Sequence, residues 1–410
     1  MNIRETLKVL GPGLAVAATG VGAGDLIAAS VAGSTYGFAV VWAAALGAIF
    51  KFGLNEGLAR WQLATGTTLL EGWANHLGRW VQWIFFVYLI VWSFVVGGAL
   101  INACALAAHA ISPAIPFWAW GVLHSVAAVL MVLLGGYQTF ERSIKLFIGV
   151  MFVALVGSAI LVAPPLESIS RSVSEAAVPV GGGALILGVL GGVGGSVTLL
   201  SYGYWIREKG WRKREELSKV RVDLGVAYIL TGLFGVAVIW LAAHLLSGGE
   251  PVARSAAASR MSEMLSGVIG PTGRWLFLVG FWGAVSTSML GVWQGVPYLF
   301  ADFFARLRNL PSDGDLTRRP SYRLFLLWIA VAPMALLYFD RPVLLIVIYS
   351  VLGALFIPFL ALTLLYMNGR REWVGELRNG WASRLVLGAA VVLFLVIAYQ
   401  DIVAAFRRLG

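Results

Sequence analysis

Three glycines and a carboxylate interrupt the first apolar run of this 410-residue chain, in the stretch Gly20-Val21-Gly22-Ala23-Gly24-Asp25. A near copy, Gly191-Gly192-Val193-Gly194-Gly195-Ser196, interrupts the sixth run. Each interior glycine weakens a helix by about 0.5–1 kcal/mol relative to alanine. In hydrocarbon, backbone released from a helix persists only where it lines a cavity or is otherwise satisfied. Paired interruptions in corresponding spans are the pattern of a solute or ion site between two broken helices.

Asp25 is the strongest candidate for chemistry. It lies too deep in its run to snorkel, and an ionisable group at mid-bilayer costs at least about 2.5–3.5 kcal/mol. A carboxylate among glycine carbonyls makes a hard-cation site. The plainer role for Asp25 is to cap the outer half of the broken helix. Ser196, Thr198 and Tyr202 follow the second break, where their hydroxyls either complete an oxygen cage or bond back to the helix. Ser286, Thr287 and Ser288 sit midway along the eighth run, with Gln294 two turns on. They are candidates for a second ion position or a pathway, with helix packing through small polar residues as the simpler role. Asn102, His124 and His244 stand alone and read as buried hydrogen-bonding residues. Glu56 reads as a local pair with Arg60, and Asp223 and Arg221 as interfacial. No phosphate loop follows either glycine stretch, and no nucleophile, base and acid stand together, so an enzyme is not expected.

These residues need a scaffold, and the composition fixes its medium. The chain is 59% hydrophobic and 12% charged, against about 25% charged in soluble domains. That implies a polytopic membrane protein whose first partner is the lipid bilayer. The net charge of +10 belongs to loops between spans, so nucleic acid is not an expected partner, and no obligate protein partner is evident. The single cysteine, Cys104, rules out an intrachain disulfide. No cofactor is called for.

About eleven runs are long enough to cross a bilayer: roughly 9–33, 37–60, 81–108, 117–136, 143–163, 182–206, 221–246, 272–304, 324–340, 343–367 and 384–405. Most of the 30 lysines and arginines fall on one side if the N-terminus is cytoplasmic, Lys51 being counted among them, which puts the C-terminus outside. Tryptophans at run ends (Trp61, Trp73, Trp80, Trp83, Trp118, Trp120, Trp205, Trp211, Trp373 and Trp381) read as interfacial anchors. The segment 247–273 reads as an external connector and 311–320 as a solvated inner turn. Runs 1–5 and 6–10 each open with a broken helix. Five is odd, so the second set inserts inverted relative to the first. The expected units are residues 1–165, 180–368 and an added helix at 383–410.

The order of motifs resembles the Nramp family of divalent-metal transporters. Gly11-Pro12-Gly13 looks like that family's start of span 1, and Gly22-Ala23-Gly24-Asp25 falls where it has Asp-Pro-Gly-Asn. Ala32-Gly33-Ser34-Thr35-Tyr36-Gly37 is similar to its next element. Leu58-Ala59-Arg60, Thr65-Gly66 and Leu69-Leu70-Glu71 resemble its span-2 exit. Gly136-Tyr137 through Glu141 and Lys145 resembles its turn between spans 4 and 5, and Trp293-Gln294 its span-8 Gly-Gln. The resemblance implies an all-α polytopic fold of the LeuT type, a 5+5 inverted repeat with helices 1 and 6 broken. It also implies a site formed with backbone carbonyls at Thr19 and Gly192.

The departures concern the ligands. The family's metal-binding aspartate falls on Gly22, its asparagine on Asp25, and its Met-Pro-His-Asn on Gly195-Ser196-Val197-Thr198. The thioether that suits softer metals, the histidine tied to proton coupling and the span-3 acids are absent. This is similar to the distant Nramp-related magnesium transporters. The expected metal-site set is Asp25, Thr19, Gly22, Gly192, Gly195, Ser196 and Thr198. The expected cargo is an inorganic cation, a hard divalent ion such as magnesium, moved without tight proton coupling. The alternatives are transport of an amino acid or other small organic solute on the same fold, and a relative that has lost transport. The expected location is the bacterial inner membrane.

Overall fold

The computed structural model describes residues 9–162, 178–179, 182–192, 195–246, 262–263, 265–267, 270–308, 310, 315–339 and 342–409. Most of the 247–273 connector and part of the 311–320 turn lie outside the described residues. What is described of that turn is solvated in part: the Asp315 carboxylate accepts from the Thr317 amide at 3.0 Å and pairs with an exposed Arg318 at 3.0 Å, whereas Leu316 is buried.

Every regular element among the described residues is helical. In chain order they are α1 (Pro12–Gly20), α2 (Ala23–Tyr36), α3 (Val41–Thr65), α4 (Leu69–His76), α5 (Arg79–Ile111), α6 (Phe117–Val162), α7 (Gly183–Gly192), α8 (Ser201–Glu208), α9 (Leu217–Leu246), α10 (Pro271–Leu307), α11 (Pro320–Val331), α12 (Pro342–Met367), α13 (Arg371–Val374) and α14 (Trp381–Leu409). Among the described residues, nine helical stretches are long and apolar enough to cross a membrane. Two of them are double. Leu26–Thr65 joins the end of the first run to the second, and Phe117–Val162 holds the fourth and fifth. The nine stretches, with the separate α1 as the first half of run 1, account for the eleven runs.

Local chemistry explains the joints. Gly37, at φ 63°, ends α2 and turns the chain into α3. Gly136, at φ 63° and ψ 178°, bends α6 between its two crossings, in a region of φ where a side chain is strained. Pro12 stands at the start of α1, where its missing N–H costs nothing. Thr68 caps α4 by accepting from the Glu71 amide at 3.2 Å.

Around the breaks, α1 packs against α9 and α10, α2 against α9 and α7, and α12 against α7. α14 lies outside, on α12 and α3.

The tryptophan expectation holds in part. Trp80, Trp83, Trp118 and Trp381 are exposed to the surroundings, whereas Trp61, Trp73, Trp205 and Trp211 are buried. Aromatic partners are available to the buried ones: Trp73 packs edge-on to Phe85 at 5.3 Å and Phe359 at 5.1 Å. Offset and edge-to-face ring pairs add to area burial, so these rings serve the core rather than the lipid interface.

Candidate functional site

The two glycine stretches unwind opposite one another. At the first, α1 stops at Gly20, the Gly22 amide donates to the Gly20 carbonyl at 2.9 Å, and the ladder resumes when Leu26 donates to Gly22 at 3.0 Å. At the second, α7 stops at Gly192, the Gly195 amide donates to the Gly192 carbonyl at 3.0 Å, and Gly195 takes φ 84°. A Cβ on Gly195 would lie 3.7 Å from both the Gly20 Cα and the Thr19 Oγ1, and would collide with the Thr198 hydroxyl. Glycine at 195 is required by its φ and by the Thr198 hydroxyl, and glycine at 22 lets the first break lie against Ser288 of α10.

The hydroxyls around this gap behave differently from one another. Thr198 Oγ1 is buried and, among the described residues, has no hydrogen-bond partner. A buried orphan of that kind is rare and calls for an explanation such as an ion or water. It does not bond back to its own helix. Ser196 lies against Gly353, where a Cβ would come within 2.7 Å of its hydroxyl. Thr19 Oγ1 does bond back, to the Val16 carbonyl at 2.7 Å. The Thr19 carbonyl, expected to face the gap, accepts from the Ser288 hydroxyl at 2.8 Å. A carbonyl has two lone pairs, so this bond leaves one for another partner. Asp25 is the third residue of α2, at the positive end of that helix. Its side chain lies outside the described residues. The cap position of α2 is held by Gly22, which has no side chain to cap with.

In the eighth run the three hydroxyls divide. Ser288 reaches the first break, and a Cβ on Gly22 would strike it. Thr287 bonds back to the Gly283 and Ala284 carbonyls at 2.9 and 2.8 Å, the packing role. Ser286 is buried beside them. Gln294 stands away from the gap. It accepts from the Trp205 indole, donates to the Tyr298 hydroxyl at 3.3 Å, and helps line a cleft of about 390 Å³ between α6, α8, α10 and α11. A second cleft of about 400 Å³ shares Glu208, Tyr298 and Asp315 with it. Tyr202 also points away from the gap and donates to Asp223 at 3.1 Å.

Three charged groups occupy places the sequence reading did not give them. Asp223 does not face solvent: it is fully buried and accepts from the Gly11 amide at 3.1 Å and the Gly13 amide at 2.6 Å. It therefore caps α1 from a helix more than two hundred residues away, satisfying orphan N–H groups at that end. Lys51 is not a loop cation. It is fully buried within α3, and its ammonium donates to the Gly191 carbonyl at 2.8 Å and to the Gly195 carbonyl. Its place ten residues into a 25-residue helix was the available signal, because a charge at that depth marks a functional position. Asp302 was missed altogether. It is fully buried, accepts from Thr68 and Tyr204 at 2.7 Å each, and pairs with Arg306 at 3.1 Å. The i,i+4 spacing of Asp302 and Arg306 near the end of an apolar run was its signal.

Other expectations hold in part. Glu56 pairs with Arg60 at 2.8 Å as its spacing implies, and also with Arg221 of α9 at 2.9 Å. Asn102 is buried and donates to the Gly98 carbonyl at 2.8 Å, and a half-buried His124 accepts from the Trp282 indole at 2.8 Å. His244, expected to be buried, is exposed.

An all-helical polytopic membrane fold, with its first and sixth crossings broken face to face, is the class this geometry defines. The family model for Nramp, natural resistance-associated macrophage protein-like, matches residues 13–404, and the chain belongs to that family. It is 22% identical to a divalent metal cation transporter MntH of Pectobacterium carotovorum over 95% of this chain and 92% of that one. It is 23% identical to an uncharacterised Pasteurella multocida protein, PM0681, over 65% of this chain, a match that spans 63% of that relative's length. Among solved structures, a mutant of the Eremococcus coleocola manganese transporter superposes with a TM-score of 0.73 at 16% identity, covering 98% of this chain and 88% of that one. MhsT in complex with L-phenylalanine superposes at 0.63 and 15% identity, over 95% and 98% of the two chains. These likenesses to solved structures establish the fold.

Proposed function

We propose that this protein is a secondary transporter that moves a hard divalent cation, with magnesium as the ion its donors suit, by alternating access and without tight proton coupling. The observation that carries this reading is the gap between the two breaks. Thr19, Gly20, Gly195 and the unpartnered Thr198 hydroxyl come together there, and the proposed site adds Gly22, Gly192, Ser196 and, from the first turn of α2, Asp25. Oxygen donors suit magnesium and calcium, whereas a thioether would favour softer metals. Two clefts that share Glu208 and Tyr298, one of them also lined by Gln294, offer polar surface on which a route to the gap could open. The bias of basic residues supports a cytoplasmic N-terminus in a bacterial inner membrane, with the C-terminus outside.

Uptake of magnesium and manganese into proteoliposomes, by wild type and Asp25→Ala, tests the proposal. Saturable magnesium uptake that vanishes in a folded Asp25→Ala protein is expected, with no acidification of the lumen. Unchanged uptake in the variant removes Asp25 from the mechanism, and acidification in step with uptake refutes the absence of coupling.

A second reading is favoured by one observation, the Lys51 ammonium at the second break. A fixed positive charge at this break attracts a carboxylate, which suits an amino acid or similar organic solute. Amino-acid uptake in the same liposomes, in the absence of divalent flux, would select it. Absence of any flux would leave a relative that no longer transports.

A further inference from the structure

The two breaks are satisfied in different ways. At the first, the carbonyl of Thr19 takes a neutral hydroxyl, that of Ser288. At the second, the carbonyls of Gly191 and Gly195 both take the ammonium of Lys51. Gly191 belongs to the last turn of α7, and Gly195 to the unwound stretch beyond it. The end of α7 presents unpaired carbonyls and the negative pole of its dipole. Converging carbonyls of this kind replace the hydration shell of a small cation. Lys51 brings the same charge to the same oxygens, on a stem anchored in α3 and wholly buried. Isolated buried charges are costly, so an ammonium this deep in the fold marks a place where positive charge is required.

We propose that Lys51 is a tethered cation: its ammonium fills a carbonyl cradle at the second break that an alkali-metal ion would otherwise occupy. The broken helix thereby carries its own counter-charge and needs no monovalent co-ion. The cradle, once vacated, is a site for sodium, potassium or a small alkylammonium ion. The inference rests on reading the paired breaks as a transport site, but its test reads protein stability, so it fails or stands separately from any result on divalent uptake.

The test compares the thermal midpoint of the purified full-length protein in sodium, potassium, methylammonium and N-methylglucamine chlorides at equal ionic strength. Wild type is expected to melt at one temperature in all four. Lys51→Ala, which opens the cradle, is expected to melt lower in N-methylglucamine and to recover saturably with at least one small cation, as mass action on the folded state requires. Lys51→Met keeps the stem volume without the charge, and is expected to melt lower in every salt without recovery. Should Lys51→Ala yield no folded protein in N-methylglucamine, its yield when prepared in each small cation becomes the readout. A Lys51→Ala protein whose midpoint or yield is the same in all four salts overturns the proposal, as does a Lys51→Met protein as stable as wild type. A helix cap with no role as a cation surrogate would give the first of these results.

Discussion

The hydroxyl of Ser288 donates to the carbonyl oxygen of Thr19 at 2.8 Å, across 269 residues of sequence. One neutral bond thus fixes the distance between α10 and the first break. Ser288→Ala removes the donor and leaves the carbonyl buried. The expected loss is about 0.5–1.5 kcal/mol, the net worth of an ordinary hydrogen bond, read as a fall in thermal midpoint. Uptake should fall further than stability does, because the freed backbone borders the gap. Equal uptake by variant and wild type would show that the bond only packs the helix.

Glycines near this bond separate contact from flexibility. A Cβ on Gly291 would strike the Thr19 methyl group, and one on Gly22 would strike Ser288. Gly291→Ala is expected to cost about 1–3 kcal/mol, the usual penalty of overpacking. Gly149 and Gly225 lie in α6 and α9 with nothing within 4 Å of a built Cβ. Alanine at either is expected to be neutral or to stabilise by up to about 1 kcal/mol. Opposite signs in thermal melts of the two sets would confirm the close approach at the first break.

At the start of α1, Asp223 holds two backbone amides and the Tyr202 hydroxyl. Asp223→Ala orphans all three, and a cost of about 2–5 kcal/mol is expected, since each buried unsatisfied group costs about 1–3 kcal/mol. Tyr202→Phe removes one donor and should cost about 0.5–1.5 kcal/mol. Amide hydrogen exchange over residues 12–20 should accelerate in Asp223→Ala and change little in Tyr202→Phe. Unaltered exchange in the first variant would mean that α1 is held by its apolar contacts alone.

Near the end of α10, Arg306 pairs with Asp302 at 3.1 Å and with Glu71 at 3.0 Å. The two acids differ in burial, 0% against 29% side-chain exposure. Breaking a buried pair costs about 3–5 kcal/mol, so Arg306→Ala should be severe. Glu71→Gln should cost no more than about 1 kcal/mol, as exposed pairs do. A double-mutant cycle of Asp302→Asn with Arg306→Ala should return a coupling energy several times that of Glu71→Gln with Arg306→Ala.

The breaks and the crossings were legible because glycine density and run length act locally. Gly22 and Gly195 mark their own discontinuities whatever surrounds them. The charged groups were harder, because their roles depend on partners far away in sequence. Asp223 lies six residues into α9, where an interfacial position is the natural reading; only the approach of Gly11 and Gly13 turns it into a cap. Lys51 was counted with the loops because its neighbours in sequence gave no partner, and its partners are carbonyls about 140 residues on. Hydroxyls divided for the same reason. Thr287 found its acceptors one turn back, whereas Ser288, its immediate neighbour, found one on another helix.

The grip on Gly11 and Gly13 comes from α9, and so does Arg221, which clasps Glu56 on α3. One rod thus holds both the leading tip of α1 and the second half of α3. Whatever swings that rod carries the other two along as a single lever, and the slack in such a movement is left to the two glycine joints.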